Sequence, residues 1–473
     1  MSSLSHKHGP PEQHFGETPE RQLPTLHAAM ALTLGGWRSD VRIAIDGAAI
    51  ASVTPGVAAE VGDERHDVVL SALANLHCHA FQRAMAGLAE RRGAGADSFW
   101  SWRETMYRFA LTMTPDDLEA VAAQLYVEML EAGFASVAEF HYLHNAPDGT
   151  PYASPAEMAG RIVAAARAAG VGLTLLPVFY AHSTFGGAAP KPEQRRFVTN
   201  IKNFARLVDD CDRYVEGGGE TVGVAPHSLR AVTPKELADV AAMAPDGPIH
   251  IHVAEQMKEV EDCLAWSGKR PVRWLLDKAE VDERWCLVHA THMDAGETRD
   301  AANSGAVVGL CPVTEANLGD GVFDAPAFVG ARGRFGVGTD SNVSVGAADE
   351  LRQLEYSQRL MFKARNLMAP PGGSTGRTML DAALRGGAQA LARGSGRLEA
   401  GALADLLTLS ADHPAMYGKS GDDILDAWIF CAGAGAVDCV WSAGHKVVSG
   451  GAHAERERIA ARFKRTLEKL SRL

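Results

Sequence analysis

The sequence predicts an α/β protein, a (β/α)8 TIM-like barrel with a small composite β-sandwich domain built from both chain ends. Three observations carry this. Eight apolar, strand-like runs alternate with helical stretches between residue 71 and about residue 395, and such alternation implies a parallel sheet. The runs are almost continuously apolar, as strands buried on both faces are. Short β-type stretches recur at both ends of the chain, too brief to bury a core alone, so the economical arrangement joins them and inserts the middle of the chain between them.

In chain order, residues 1–22 hold His6, His8, His14 and three prolines without apolar periodicity and read as a flexible N-terminal tail. Residues 41–45 alternate, Asp46-Gly47 marks a turn, and residues 48–53 alternate again, which predicts a hairpin. The eight barrel runs are residues 73–79, 136–144, 172–180, 221–226, 248–253, 286–289, 305–311 and 334–339. The helix after the first run has Thr114 as N-cap, Pro115 at its first position, and Asp116 and Asp117 at the positive end of its dipole. Leu118, Val121, Leu125 and Met129 then recur on one face, and Gly133 stops it. An open doubly wound sheet normally carries a Gly-rich phosphate turn after its first strand; here that strand ends in His77-Cys78-His79. Residues 404–409, 437–441 and 446–448 read as further strands, and residues 455–470 as a closing helix. The expected domains are 23–70 plus 396–473 for the sandwich with its helix, and 71–395 for a metal-dependent barrel.

Composition removes several function classes. At 46% hydrophobic and 22% charged residues the chain is that of a folded globular protein. No stretch approaches about 18 consecutive apolar residues, so no membrane span is expected. A formal net charge of −12 leaves no basic face for nucleic acid. Seven cysteines without a Cys-x-x-Cys pair argue against a disulfide framework and a zinc ribbon. With no apolar signal-peptide core near the N-terminus, a soluble, cytoplasmic protein is expected.

The polar residues of the barrel region cluster at strand ends. His77 and His79 end the first strand, His252 with Glu255 the fifth, His289 the sixth and Asp340 the eighth. In a (β/α)8 barrel these ends meet at one mouth, where active sites lie. Residues two apart on a strand share a face, so His77 and His79 both face the lumen, an imidazole pair suited to a first-row divalent metal. His250-Ile251-His252 is a second such pair; His252 is the preferred ligand because Glu255 follows just beyond the strand, within reach of a bound water. The fourth strand runs through Pro226-His227-Ser228-Leu229-Arg230 without a lysine to bridge two metals. One metal held by three histidines and one aspartate, with a position open for water, follows.

These motifs, His77-Cys78-His79, His252-Val253-Ala254-Glu255, Val288-His289-Ala290 and Gly338-Thr339-Asp340-Ser341, resemble those of the amidohydrolase superfamily in its mononuclear deaminase branch. More narrowly, residues 74–83, 99–104, 139–144 and 227–230 are similar to those of the formimidoylglutamate deiminases. The sequence departs from that pattern at Ser71-Ala72, where relatives often have Pro-Gly, and at Cys78, which replaces a more usual serine. The resemblance implies hydrolysis of the formimino C=N bond of N-formimino-L-glutamate to N-formyl-L-glutamate and ammonia, in histidine degradation. It implies His77, His79, His252 and Asp340 as ligands of one divalent metal, most simply Zn2+, that lowers the pKa of bound water toward ~7. Asp340 accepts the water proton, Glu255 shuttles protons to the leaving nitrogen, and His289 orients the nucleophile or stabilises the tetrahedral species. The pocket suits a dicarboxylate substrate: Arg230 can clamp a carboxylate with two hydrogen bonds, Gln82, Tyr142 and His227 offer neutral partners, and Arg103, in the aromatic run Phe99, Trp100, Trp102, can hold a second carboxylate. A homodimer is expected. The alternatives are another mononuclear deaminase or chlorohydrolase acting on a nucleobase or triazine-like ring, and a non-catalytic barrel serving as an interaction protein.

Overall fold

A computed structural model describes residues 23–92 and 99–472; the expected tail of residues 1–22 lies outside the described residues. Four strands open the chain: β1 (Thr25–Thr33), β2 (Gly36–Asp46), β3 (Ala49–Thr54) and β4 (Glu64–Ser71). The apolar runs of the middle follow as β5 (Leu73–Cys78), β6 (Phe134–His141), β7 (Gly172–Phe179), β8 (Thr221–Val222), β9 (Ala225–Pro226), β10 (Ile249–Val253), β11 (Trp285–His289), β12 (Val307–Leu310) and β13 (Arg334–Val337). Near the C-terminus come β14 (Leu406–Leu409), β15 (Val437–Ser442), β16 (His445–Ser449) and β17 (Ala452–His453), before the helix Arg456–Leu470.

The two chain ends share one sheet. Its order is β17-β16-β15-β14-β4-β1-β2-β3, and the seam is the antiparallel pair of β4 with β14, which sets Leu70 opposite Leu407. Leu26, Val41 and Ile43 from one end pack with Leu398, Leu406 and Trp441 from the other in a core of their own.

The middle of the chain is parallel throughout. One sheet runs β5-β6-β7-β8, with β9 also on β7, and the other runs β10-β11-β12-β13. Single parallel bridges join them at both edges: Val224 to Ile249 and Ser228 to His252 on one side, Cys78 to Asp340 on the other. Backbone hydrogen bonds from His79 N to Asp340 O and from Asp340 N to His77 O, both 3.0 Å, tie the last strand end to the first. Among the described residues no helix is long and apolar enough to cross a membrane.

Several expected strands differ in extent: 136–144 is observed as Phe134–His141, 334–339 as Arg334–Val337 and 404–409 as Leu406–Leu409, and two further differences have a clear local cause. Residues 221–226 form two short pieces because pairing changes partner between them: Gly223 N bonds Leu175 O on β7, whereas Val224 N bonds Pro248 O beside β10, both at 3.0 Å. Gly223 fits this crossover because a Cβ there would lie 2.4 Å from the Pro248 carbonyl oxygen. The run 305–311 shortens to β12, since Gly305, at φ +83°, ends the preceding helix and Cys311 begins the next.

The helix Pro115–Glu131 starts as its sequence indicates, with Thr114 Oγ1 accepting from Asp117 N and Asp117 returning the bond to Thr114 N. Leu118, Val121, Leu125 and Met129 are buried. Thr114→Ala should cost about 1 kcal/mol, a typical N-cap loss, read as a lower unfolding midpoint. Thr114→Ser should leave the midpoint near that of the wild type.

Candidate active site

Four ligand atoms converge where β5, β10 and β13 end. His77 Nε2 lies 3.2 Å from His79 Nε2 and 3.0 Å from His252 Nε2. Asp340 Oδ1 lies 3.5 Å from His77 Nε2 and 3.2 Å from His79 Nε2. The other ring nitrogens fix the tautomers: His79 Nδ1 pairs with Phe140 O and His252 Nδ1 with His227 O, both at 3.0 Å, so each Nδ1 carries the proton and Nε2 is a bare lone pair. Burial pushes His77 down to about 3 and lowers His79 and His252 as well, keeping the rings neutral. Burial alone would raise Asp340, but its hydrogen bond with His77 holds its carboxyl well below the usual range. Converging imidazole lone pairs beside a carboxylate repel one another unless a cation lies among them. All four residues are buried, with their ligand atoms within 4.8 Å of one another. The donor set fits a divalent metal.

The backbone that presents these groups is strained. Ala254, His289, Ala290, Asp340 and Asn342 all hold positive φ, between +45° and +67°, a region costing non-glycine residues of order 1–3 kcal/mol each. A buried network over-determines the turn after β13: Asn75 Nδ2 donates to Thr339 Oγ1 (2.7 Å), Thr339 Oγ1 to Asn342 Oδ1 (2.6 Å), and Asn342 Nδ2 to the carbonyls of His79 and Asp340 (3.0 and 2.8 Å). Cys78 turns toward Asn342 (Sγ to Oδ1, 3.7 Å) rather than to the ligand cluster.

His289 and Glu255 flank the cluster. His289 Nε2 stands 3.7 Å from Asp340 Oδ2 and 3.9 Å from Glu255 Oε1. Burial would lower His289, yet its bond to Glu315 and the carboxylates of Glu255 and Asp340 outweigh this and push it up to about 10. Glu255 Oε2 lies 3.5 Å from Arg230 Nη2, which is also 4.0 Å from Glu259 Oε2. His250, the other member of the second His-x-His, bonds the Ala390 carbonyl at 2.8 Å.

A cavity opens above this cluster and is lined by Gln82, Arg103, Tyr142, His227, Arg230 and Glu255 with aromatic neighbours. Gln82 Nε2 donates to Tyr142 Oη at 2.9 Å. Arg103 Nη2 donates to Tyr180 Oη at 3.3 Å and lies against the Trp100 and Tyr107 rings. Every site residue expected from the sequence therefore stands in or beside one space.

The sequence pattern of the amidohydrolase family matches residues 68–447. The chain belongs to the amidohydrolase family. Residues 24–67 of this amidohydrolase match the pattern described as the N-terminal domain of the formimidoylglutamate deiminase HutF. The formimidoylglutamate deiminase of Pseudomonas aeruginosa is 49% identical over 452 residues, 95% of this chain and 100% of that protein. Among solved structures, an amidohydrolase from Brucella melitensis is 57% identical with a TM-score of 0.91, covering 95% of this chain and 100% of its own. An adenosine deaminase from Xanthomonas campestris with bound zinc, 21% identical and covering 96% of this chain and 100% of its own, shares the amidohydrolase fold at a TM-score of 0.79.

Sequence reasoning did not find Glu315, which faces His289, nor Tyr180, Glu259 and Asp320. The signal for Glu315 was its place four residues past the seventh strand run, where side chains turn toward the mouth. Asp320 is buried and pairs with Gln256.

Proposed function

We propose that this amidohydrolase cleaves the formimino C=N bond of N-formimino-L-glutamate with water, releasing N-formyl-L-glutamate and ammonia in histidine degradation. The observation that carries the reading is Arg230. Its side chain is 12% exposed at the cavity wall, its Nε finds no hydrogen-bond partner among the described residues, and its fork stands beside Glu255. A buried guanidinium with free donors suits a carboxylate and offers a neutral ring little. The 49% identity to a formimidoylglutamate deiminase supports the same reading.

The chemistry divides among the residues by position. His77, His79, His252 and Asp340 would hold a single Zn2+, whose Lewis acidity would make water nucleophilic near neutral pH. Asp340 accepts the first proton of the attacking water. Glu255 carries protons to the imino nitrogen; both water protons end on that nitrogen, which leaves as ammonia while the oxygen stays as the formyl carbonyl. His289 faces the oxygen as charge builds on it. Arg230 clamps one carboxylate and Arg103 the other, with Gln82, Tyr142 and His227 placing the formimino group.

In this reading residues 71–395 form a closed barrel, supported by the bridges at both sheet edges. Residues 23–70 with 396–473 fold as a sandwich around their own core. The enzyme works in the cytoplasm as a homodimer; exposed Leu360, Met361 and Phe362 supply apolar surface for the contact.

Ammonia release from N-formimino-L-glutamate, guanine, cytosine, adenosine and a triazine tests the substrate. Turnover of the first alone is expected. The cavity wall of Phe99, Trp102 and Phe197 would also suit a flat ring, and turnover of a ring with none of N-formimino-L-glutamate would replace this reading. The purified protein should hold one metal per chain and lose activity to chelators. Two tightly bound metals in every active chain would overturn the mononuclear site.

A further inference from the structure

His289 leaves its strand with φ +67°, and Ala290 follows at φ +47°. Ordinary strand geometry therefore does not aim this ring. Its Nε2 points into the site, finds no hydrogen-bond partner among the described residues, and is buried. What faces the other nitrogen is Glu315, whose Oε1 lies 3.2 Å from Nδ1.

Glu315 is itself firmly placed. It sits in the short helix Pro312–Leu318, and its Oε1 also accepts Cys311 N at 2.9 Å. Its own N–H donates to Cys311 O at 2.8 Å, and its carbonyl accepts Asp320 N at 3.0 Å. A carboxylate pinned in this way, buried against a ring on a strained turn, has one orientation to offer.

We propose that Glu315 is a positioning residue for the amidohydrolase reaction. By accepting the Nδ1–H of His289 it fixes the tautomer and the tilt of the ring, so that Nε2 meets Asp340 and Glu255 rather than rotating away. Carboxylates behind functional histidines act in this way and their loss costs about 10–100-fold. The proposal rests on the deiminase reading only for the choice of assay.

His289, Cys311 and Glu315 also have the spacing of a metal site, with ligand atoms within 4.8 Å of one another. Orientation accounts for them better. The Glu315 oxygen is already engaged by Cys311 N–H and by His289 Nδ1.

The test is a double-mutant cycle on the metal-loaded enzyme. Glu315→Leu removes the oxygen that Cys311 N and His289 Nδ1 share, whereas Glu315→Gln keeps that oxygen and removes only the charge. Glu315→Leu should lower kcat about tenfold, with KM and metal content unchanged, and Glu315→Gln should lose less. In a His289→Asn background Glu315→Leu should cost nothing further. An equal loss in both backgrounds, or a change in KM alone, overturns the proposal. So does a second tightly bound metal that Glu315→Leu releases. Proton NMR gives a readout independent of substrate: a low-field imidazole N–H resonance should be present in the wild type, retained in Glu315→Gln, and absent in both His289→Asn and Glu315→Leu. Its absence from the wild type, or its persistence in Glu315→Leu, overturns the proposal even if that variant folds poorly. If the resonances behave as expected but N-formimino-L-glutamate is not hydrolysed, the substrate reading fails and the positioning role stands.

Discussion

Glu255→Gln should retain the metal and lose ammonia release by ~10²–10⁴-fold, the usual consequence of removing a general acid–base. The glutamate lies outside the four-residue ligand cluster, so its replacement leaves the donor set whole. It stands between His289 and Arg230 at 3.9 and 3.5 Å, and its backbone N–H is held by Glu259 Oε2 at 3.2 Å. Glutamine preserves the size and the placement but cannot carry a proton. Metal analysis beside steady-state rates checks both halves. Near-normal turnover in the variant would put the proton relay elsewhere.

Arg230→Met should lower kcat/KM for N-formimino-L-glutamate on the order of 10²–10³-fold, mostly through KM, since truncating one partner of a buried charge pair costs roughly 2–5 kcal/mol. Arg230 is not a ligand, so metal content should not change. Arg230→Lys keeps the charge without the planar fork and should fall between the two. If methionine leaves KM near the wild-type value, the carboxylate is bound elsewhere and Arg103 becomes the leading cation.

The sequence showed most clearly those features whose cause is local. A period of two sets His77, on β5, and His79, just past its end, toward one side, and Thr114, Pro115 and Asp117 state the start of their helix within four residues. Contacts made by the folding of distant segments were silent. His250 and His252 look alike along the chain; what separates them is the Ala390 carbonyl, 140 residues away, which takes His250. Glu315 meets His289 only once the segments after β11 and β12 lie side by side. Tyr180 carries no mark of its bond to Arg103, 77 residues earlier in the chain. The break between β8 and β9 was hidden because the apolar text of residues 221–226 records burial and not which neighbour each residue pairs with.

The seam between β4 and β14 bears on how the protein is made. During synthesis β4 can pair with β1 at once, in the parallel register that sets Ala28 beside His66. Its other edge, where Val69 and Leu70 will meet Thr408 and Leu407, must wait until almost the whole chain has left the ribosome. At roughly 5–20 residues per second that wait lasts tens of seconds. An open apolar edge over such a time invites pairing with a neighbouring nascent chain. The same strand carries Glu64, Arg65 and Asp67, with Arg65 and Asp67 exposed, and charges on a waiting edge deter foreign partners. When β14 arrives, Asp67 Oδ2 accepts Ala411 N at 2.8 Å just beyond it, so a residue that guards the nascent edge ends as part of the clasp that shuts it.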